Sequence, residues 1–153
     1  MLPGPKLLNC DEPVSSLGGS VQARVINLLD RLREELGLTM LFISHDLGVV
    51  KNVCDRIAVM HLGKICEQAP SEKLYRHFRH PYTRALVRAI PKPVPHRPKQ
   101  ALKIGEMPSP VNPPSGCRFH PRCYRARDLC RRKEPELIQI EPKHTVACHF
   151  PDI

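Results

Sequence analysis

The sequence predicts an α/β protein that continues into a proline-rich segment and ends in a small cysteine-rich module. Strand-like and helix-like segments alternate as far as Ile90, which is typical of a parallel α/β sheet. Eight prolines follow between Pro91 and Pro114, so this stretch should be extended and irregular. Four of the seven cysteines lie beyond it. We therefore expect three parts: a partial α/β domain over 1–70, a helical and proline-rich linker over 71–114, and a cysteine module over 115–153.

Composition narrows the class of protein. The chain has 153 residues, 41% of them hydrophobic, and a formal net charge of +9. No apolar run reaches the length of a membrane span, and Met1 to Lys6 lacks the features of a secretory signal, so a cytosolic protein is expected. The positive charge suits an anionic partner. Aromatic residues make up only 5% and no nucleic-acid motif occurs, so a solvated basic face is preferred over nucleic-acid binding.

The first two predicted elements are a strand and an amphipathic helix. Lys6 to Asp11 is a short apolar segment that ends in acidic residues. Apolar residues then recur from Val21 to Leu36 at the spacing of one helix face. Ser20 is predicted to cap the start of this helix, because a serine side chain accepts hydrogen bonds from exposed N–H groups. Gly37 is predicted to end it, because glycine readily adopts the left-handed conformation of a helix stop.

The following segments continue the alternation. Thr39 to Ser44 (TMLFIS) is an apolar strand of the kind found inside parallel sheets. Two such strands cannot close a core, so we expect further strands upstream. The remaining predicted elements are a helix from Asp46 to Cys54, a hairpin of Arg56 to His61 with Lys64 to Gln68, and helices over Ser71 to His77 and Pro81 to Ile90.

Two acidic residues at the end of the first strand indicate a candidate catalytic site. Asp11 and Glu12 follow an apolar run, and open α/β sheets bind ligands at the carboxyl ends of their strands. One carboxylate there can hold Mg²⁺ and the next can polarise an attacking water, as phosphoryl transfer requires. His45 ends the second apolar strand and could reach the same phosphate. Each feature alone has a simpler interpretation. The Asp-Glu-Pro segment could be a plain turn, and the Ser-His-Asp segment could be a helix cap provided by Asp46.

The order of these features resembles the C-terminal half of the nucleotide-binding domain of ABC ATPases. The resemblance rests on LLNCDEPVSSLGGSVQARVINLL followed by LTMLFISHDLGVV. It implies a P-loop ATPase fold in which Asp11 is the Walker B aspartate that binds Mg²⁺ and Glu12 is the catalytic base. It also implies that the loop with Ser15 and Gly18 contributes to a nucleotide site shared with a partner subunit, and that His45 is the switch histidine.

The sequence departs from the family pattern at several points. Asn9 places an amide where the strand is normally apolar, and Gly18 replaces an aspartate that normally helps to couple two ATP sites. No G-x-x-x-x-G-K-[ST] motif occurs, since the one Gly-Lys pair, Gly63-Lys64, is followed by Ile65. The backbone amides and lysine of that motif cradle the phosphates, so tight ATP binding is not expected. The chain is therefore predicted to be a fragment that is inactive as an ATPase on its own.

Four cysteines in the last third predict a metal site. They are separated by five, six and seventeen residues, and four thiolates can hold a tetrahedral metal or an iron–sulfur cluster. The spacing alone leaves zinc, iron–sulfur and unliganded cysteines open. Nearby arginines are expected to favour the thiolate form. The predicted ligands are Cys117, Cys123, Cys130 and Cys148. The other three cysteines are interpreted as small buried hydrophobic residues: Cys10, Cys54 and Cys66.

A second resemblance favours a cluster. RHPYTRAL from Arg79, the proline-rich stretch and GCRFHPRC from Gly116 resemble the C-terminal extension of oligopeptide and dipeptide transporter ATPases. This implies a [4Fe-4S] cluster on the four cysteines, with Zn²⁺ as the alternative, and a structural role is preferred over a redox role. His80 is predicted to cap the helix that begins at Pro81. Three histidines are alternate ligands, interpreted as neighbours of the site or surface residues: His120, His144 and His149.

Together these features predict part of an energy-coupling ATPase subunit of a peptide importer. In the complete protein it would use ATP with Mg²⁺ and work with a second ATPase subunit and membrane permease subunits, on the cytoplasmic face of the membrane. The alternative is a non-catalytic metal-binding module that organises contact with a partner. The transported solute is not specified by the sequence.

Overall fold

A computed structural model describes residues 4–90 and 108–152, which form two compact units that divide between Cys54 and Asp55. Most of the predicted proline-rich linker, residues 91–107, lies outside the described residues. None of the described helices combines the length and the apolar character that a membrane crossing requires. The first unit contains the acidic pair, and the second contains the four-cysteine segment.

The first unit alternates strands and helices as predicted. β1 (Leu7–Asp11) and β2 (Thr39–Ile43) pair in parallel and in register, so that Asp11 stands opposite Ile43. Parallel neighbours need a crossover connection, and α1 (Gly19–Leu36) lies within it. α2 (Leu47–Val53) follows β2. The predicted elements are confirmed, and the pairing brings the carboxyl ends of the two strands side by side.

Glycines set both ends of α1. The helix begins at Gly19 with Gly18 at its N-cap and without a side-chain cap, so the prediction that Ser20 caps it is wrong. The reason is that the Gly18 carbonyl already accepts the first helical hydrogen bonds, which places Ser20 inside the first turn. Gly37 ends the helix as predicted, because its φ of 61° is left-handed and its N–H bonds to the Arg33 carbonyl.

Few apolar side chains of the first unit are covered. No residue of α1 is buried. Leu36, Leu7 and Leu41 are each more than half exposed. The buried apolar side chains of this unit are those of Cys10, Val14, Leu38, Val49 and Val50. The two described strands therefore leave much apolar surface in water, as expected for a sheet too small to close a core.

The second unit begins with the predicted hairpin. β3 (Arg56–His61) and β4 (Lys64–Pro70) pair antiparallel. Leu62 and Gly63 connect them with positive φ values of 46° and 79°. Two successive residues of this kind make the tight turn that matches the twist of paired strands.

Two short strands extend this hairpin into a four-stranded sheet. β5 (Ile138–Glu141) and β6 (His144–Val146) pair antiparallel, and β6 also pairs with β4, which gives the order β3–β4–β6–β5. The sequence does not predict either strand, because they are only four and three residues long. The hairpin consequently lies in the same compact unit as the cysteine segment, whereas the sequence groups it with residues 1–70.

The helices of the second unit agree with the prediction. α3 (Ser71–Arg76) and α4 (Pro81–Ala89) are joined by a short turn. His80 caps α4 as predicted, since its Nδ1 accepts the Tyr82 N–H at 3.0 Å. Burial lowers the pKa of His80 to about 4, which keeps the ring neutral and able to accept. The cysteine segment adds a 3₁₀ turn (His120–Arg122) and α5 (Asp128–Arg132).

A buried carboxylate joins three segments of the second unit. Glu67 of β4 accepts hydrogen bonds from the backbone N–H groups of Arg79 at 2.7 Å and His80 at 2.9 Å. Its Oε1 atom also lies 2.7 Å from Nε2 of His144, and both side chains are fully buried. These three donors replace the water that the carboxylate loses on burial. The hairpin, the turn before α4 and strand β6 are therefore tied to one side chain.

The last described residue, Asp152, is held in place by its own carboxylate. Asp152 contacts Nη1 of Arg125 at 2.6 Å, the hydroxyl of Tyr124 at 2.8 Å and Nη1 of Arg84 at 3.2 Å. Burial raises the pKa of Asp152, but the three hydrogen bonds outweigh it, so the pKa lies below its ordinary value of 3.8. The charged form of Asp152 therefore links α4 to the cysteine segment at neutral pH.

We expect Glu67→Ala to destabilise the second unit far more than Glu72→Ala. Removing one partner from a buried, hydrogen-bonded carboxylate pair costs about 3–5 kcal/mol. Glu72 pairs with Arg76, but its side chain is 76% exposed, and such pairs are worth about 0–1 kcal/mol. All three tyrosines lie in the second unit, so urea unfolding followed by tyrosine fluorescence measures both losses. Equal losses in the two variants would contradict the central role of Glu67.

Candidate functional site

The ends of the two parallel strands bring Glu12 and His45 into contact. Nδ1 of His45 lies 2.9 Å from Oε1 of Glu12, and the His45 backbone N–H donates to the same oxygen at 3.1 Å. The two residues are 33 apart in sequence. They meet because Asp11 and Ile43 stand opposite each other at the ends of β1 and β2. The residues predicted as catalytic therefore share one site, whereas their catalytic roles remain predictions.

The backbone of Glu12 adopts an uncommon conformation. Its φ is 48°, in the left-handed region that non-glycine residues rarely occupy. Its N–H donates to the Ile43 carbonyl at 3.0 Å, and its carbonyl accepts from the Ser15 hydroxyl at 3.1 Å. Such conformations persist where the surroundings over-determine them, and they cluster at functional sites. These contacts fix the position from which the Glu12 side chain reaches His45.

The contact between Glu12 and His45 lies at the surface. The exposed fraction is 75% for the His45 side chain and 36% for that of Glu12. The hydrogen bond to Glu12 raises the pKa of His45 above its ordinary value of 6.5, and the charges of Glu12 and Asp46 act in the same direction. Oε2 of Glu12 is covered and has no hydrogen-bond partner among the described residues. One carboxylate oxygen is thus held by His45, and the other is enclosed by the protein without a hydrogen-bond partner among the described residues.

The other predicted residues of this site lie near Glu12 in sequence. Asp11 ends β1 and is exposed, so its carboxylate is open to a cation. Ser15 is exposed, but its hydroxyl bonds to the Glu12 carbonyl. Gly18 has open space where a side chain would project. Asn9 is exposed on the strand, so its amide carries no cost of burial.

Asp46 acts as a helix cap, which is the simpler interpretation that the sequence offered for it. Its Oδ1 atom accepts the N–H groups of Gly48 at 2.8 Å and Val49 at 3.3 Å, which makes it the N-cap of α2. This cap directs the chain away from β2 immediately after His45. The cap and the Glu12 contact together determine where His45 stands.

The four predicted metal ligands line one small cavity in the second unit. It has a volume of about 10 Å³ and is also lined by Phe119 and Phe150. None of the four thiols takes part in a disulfide. The cysteines that meet at this cavity are Cys117, Cys123, Cys130 and Cys148.

Backbone contacts bring the cysteine segments together. The Cys117 N–H donates to the Cys130 carbonyl at 2.8 Å, which joins the first and third cysteines. This approach needs a glycine at the preceding position, because Gly116 has a φ of 67° and a Cβ there would come within 2.5 Å of the Cys130 carbonyl. The Cys123 N–H bonds to the His120 carbonyl, and Cys148 follows the end of β6.

Burial controls the protonation of these thiols. It raises the pKa of Cys117 and of Cys123, and with the neighbouring thiols it raises the pKa of Cys148 to about 12. The expectation that nearby arginines favour the thiolate form is therefore wrong for these three residues, because burial is the largest influence on each pKa and no arginine charge is among the causes. Stable thiolates at this cavity would need a positive charge close to the sulfur atoms, which a bound metal supplies.

The donor set fits a soft metal, although it is not preformed. Four free thiols at one cavity are ligands that zinc and iron–sulfur clusters prefer. Over residues 4–90 and 108–152, however, no three Cys, His, Asp or Glu side chains are already arranged to hold an ion. The thiols would therefore have to turn towards a common centre as they bind.

The three histidines suggested as alternate ligands have other partners. His120 Nδ1 lies 2.9 Å from the Cys117 carbonyl, and His149 Nε2 lies 2.9 Å from the Lys133 carbonyl. His144 is buried against Glu67, so its interpretation as a surface residue is wrong. The sequence missed this pair, because one charged residue inside a strand does not indicate which distant residue will face it.

The cysteine segment and the chain as a whole are similar to peptide transporter proteins. Residues 66–130 match the family described as the C-terminal region of oligopeptide/dipeptide transporters. The chain is 53% identical over 145 residues to a putative peptide import ATP-binding protein of Brucella ovis, covering 94% of this chain and 46% of the relative.

Two proteins of Bacillus subtilis are similar over the same span. The chain is 52% identical to the putative oligopeptide transport ATP-binding protein YkfD over 149 residues, covering 95% of this chain and 45% of YkfD. It is 49% identical to the oligopeptide transport ATP-binding protein AppF over 150 residues, covering 95% and 45%. The chain thus spans less than half the length of these relatives.

We expect the pKa of His45 to fall when Glu12 is replaced by glutamine. The interaction that raises this pKa is fully present below the ordinary value of 6.5 and is lost as the pH rises through the raised value. NMR titration of the His45 ring in the wild type, in Glu12→Gln and in Asp11→Asn measures the effect. Asp11→Asn serves as the control, because it removes an adjacent carboxylate that does not bond to the ring. A similar fall in both variants would show that the Glu12 contact is not the cause.

Proposed function

We propose that this chain is the C-terminal half of the ATP-hydrolysing subunit of an ABC-type peptide importer. The observation that carries the proposal is the contact between Glu12 and His45 at adjacent strand ends. That position suits a phosphoryl-transfer site, because open α/β sheets bind ligands at the carboxyl ends of their strands. The similarity to peptide import ATP-binding proteins supports the substrate class.

In this proposal Glu12 acts as the general base. Its Oε1 atom is held by the ring and backbone of His45, and Oε2, which has no partner but is covered, would have to become accessible to take a proton from the attacking water. His45 positions the carboxylate, and its exposed ring remains able to meet the γ-phosphate. Asp11, exposed at the end of β1, would hold Mg²⁺. The metal ion would neutralise the charge that develops on the phosphate oxygens.

The remaining parts of an ATP site are proposed to come from outside this chain. The sequence contains no G-x-x-x-x-G-K-[ST] loop to cradle the phosphates. The uncovered apolar residues of the first unit and the greater length of the relatives fit an upstream portion that completes the sheet. The complete subunit would work with a second ATPase subunit, through the loop with Ser15 and Gly18, and with membrane permeases on the cytoplasmic face.

We further propose that the four cysteines hold a [4Fe-4S] cluster, with Zn²⁺ as the alternative. The support is their convergence on one cavity without disulfides. The segment around them is rich in loops, and metal ligation would stabilise a fold that has little apolar core of its own. The role proposed for the centre is structural. Its residues would hold α5 and the end of β6 together.

A second candidate function is a non-catalytic metal-binding module that contacts a partner. The observation that favours it is the compactness of the second unit, which contains all four cysteines and neither Glu12 nor His45. The two candidates differ in whether the Glu12 carboxylate matters for any activity of the chain.

We expect ATP hydrolysis only when the upstream half is supplied. The chain alone should hydrolyse no Mg²⁺-ATP above background, whereas a fusion to the N-terminal half of the Bacillus subtilis YkfD protein should be active. In that fusion Glu12→Gln should lower the rate about 100-fold or more, which is the usual contribution of a general base. Phosphate release measures the rate.

The matched control is Glu35→Gln, which changes an exposed glutamate of α1 to the same amide. It should leave the rate within a factor of two of the parent fusion. An active fusion that tolerates Glu12→Gln would refute the role of Glu12 as the base. Hydrolysis by the chain alone, lost in Glu12→Gln, would refute the dependence on an upstream half.

We expect the chain to bind iron and sulfide through its last four cysteines. Anaerobic reconstitution should give about four irons per chain and a broad visible absorption typical of thiolate-bound clusters. Cys123→Ala should lose iron, whereas Cys10→Ala, which removes a cysteine of the first unit, should not. Metal analysis and absorption spectra measure both. A colourless wild-type chain with one bound zinc would select the alternative metal, and an unmetallated chain would refute the centre.

A further inference from the structure

The positive charge of the chain is concentrated in the part of the second unit that contains α5. Residues 118–133 include seven arginines and lysines and one aspartate, which is a formal charge of +6 out of +9 for the whole chain. The next acidic residue, Glu134, is already paired with Lys64 at 2.8 Å. A surface with this imbalance of charge attracts anionic partners.

The last three cations of this segment form a basic triplet: Arg131, Arg132 and Lys133. All three are exposed. Over the described ranges, no carboxylate forms an ion pair with any of them, and this includes the neighbouring Asp128. The triplet therefore presents its charge to the surroundings instead of using it within the fold.

The side chains of the triplet are not needed to end α5. Basic residues at the end of a helix often hydrogen-bond its last carbonyl groups. Here the Arg131 carbonyl accepts the Ser115 hydroxyl at 3.0 Å, and the Lys133 carbonyl lies 2.9 Å from Nε2 of His149. Other residues thus satisfy these carbonyls, and the same contacts fix the backbone from which the three cations project.

An apolar side chain lies beside these cations. Leu129 is 41% exposed and stands three residues before Arg132, so the two are neighbours on the surface of α5. Cations next to an exposed apolar side chain are typical of surfaces that meet a membrane. The charged groups reach the lipid headgroups, and the apolar group enters the boundary of the acyl region.

The aromatic rings of this region do not offer a platform for nucleic-acid bases. Proteins that bind single strands stack the bases on exposed rings. Phe119 is buried, and the guanidinium of Arg127 lies 4.2 Å from the ring centroid of Phe150. The guanidinium of Arg84 lies 5.3 Å from that of Tyr124. The segment therefore favours lipid phosphates over nucleic acid.

We propose that the basic triplet binds an anionic membrane surface, with Leu129 at the edge of the acyl region. Each guanidinium presents paired N–H donors that match the oxygens of a lipid phosphate. The inference does not use the metal centre. It rests on the proposed function in one respect, because the cytoplasmic face at which the importer would work supplies the anionic lipid.

Co-sedimentation of the full chain with lipid vesicles tests the proposal. The chain should bind vesicles of phosphatidylcholine with about a third phosphatidylglycerol, and it should bind pure phosphatidylcholine far less. The triple variant Arg131→Gln, Arg132→Gln, Lys133→Gln should lower the partition coefficient about tenfold or more, because each cation near the surface adds to the attraction. Leu129→Ala should lower it by a smaller factor.

The matched control removes the same charge from exposed arginines outside the segment, as Arg24→Gln, Arg31→Gln, Arg88→Gln. It should stay within about a factor of two of the wild type, since salt screens charges that lie away from the contact. Urea unfolding followed by tyrosine fluorescence checks that both triple variants are folded. Equal losses of vesicle binding in the two folded variants would show that only net charge matters and would overturn the proposal.

A short DNA duplex at the same ionic strength tests the other class of anion. Binding to the duplex that depends on the triplet, without binding to vesicles, would overturn the proposal in favour of nucleic acid. The fusion to the YkfD half should bind the same vesicles as the chain. A chain that binds while the fusion does not would also overturn it, because the upstream half would then cover the triplet.

ATP hydrolysis separates this inference from the proposed function. In the absence of vesicles, the fusion with the three glutamines should hydrolyse ATP at the rate of the parent fusion. A fusion that hydrolyses ATP and does not bind vesicles would overturn the membrane contact and leave the ATPase standing. A fusion that binds vesicles through the triplet and hydrolyses no ATP would support the contact and refute the ATPase.

Discussion

The second unit depends on a carboxylate that water does not reach. Glu67 receives two backbone N–H groups and the His144 ring, and these come from segments that are distant in sequence. Burying such a group costs several kcal/mol unless every oxygen is satisfied, so the surrounding segments have few alternative arrangements. Cys148 follows β6 closely, so the position of its thiol depends on the contact between Glu67 and His144.

The two units differ in how completely each one folds around its candidate site. The first brings Glu12 and His45 into contact but leaves Leu7, Leu36 and Leu41 largely in water. The second has a four-stranded sheet and buried polar networks that fix the cysteines around a cavity. The contact proposed to be catalytic can thus be encoded in a short strand–helix–strand segment, while the proposed turnover would need a phosphate-binding loop that the sequence does not contain.

Local patterns predicted most of the helices and the longer strands, because periodicity and end signals such as Gly37 and His80 act within a few residues. The meeting of Glu12 with His45 was also predictable, since parallel strands share one carboxyl edge. Ser20 does not cap α1, because the helix already begins at the preceding residue, Gly19. The pairing of β4 with β6, and with it the Glu67–His144 contact across 77 residues, was not predictable, because a three-residue strand carries too little pattern to specify a distant partner.

Gly116 adds a backbone requirement to the sequence pattern that would identify the proposed metal centre. Its left-handed backbone and the 2.5 Å approach to the Cys130 carbonyl leave no space for any side chain. A related chain could therefore keep all four cysteines and still fail to gather them if another residue stood before the first. The diagnostic feature is then the Gly-Cys dipeptide together with the later cysteines. Counting thiols alone would assign metal centres to chains whose backbone cannot close around one.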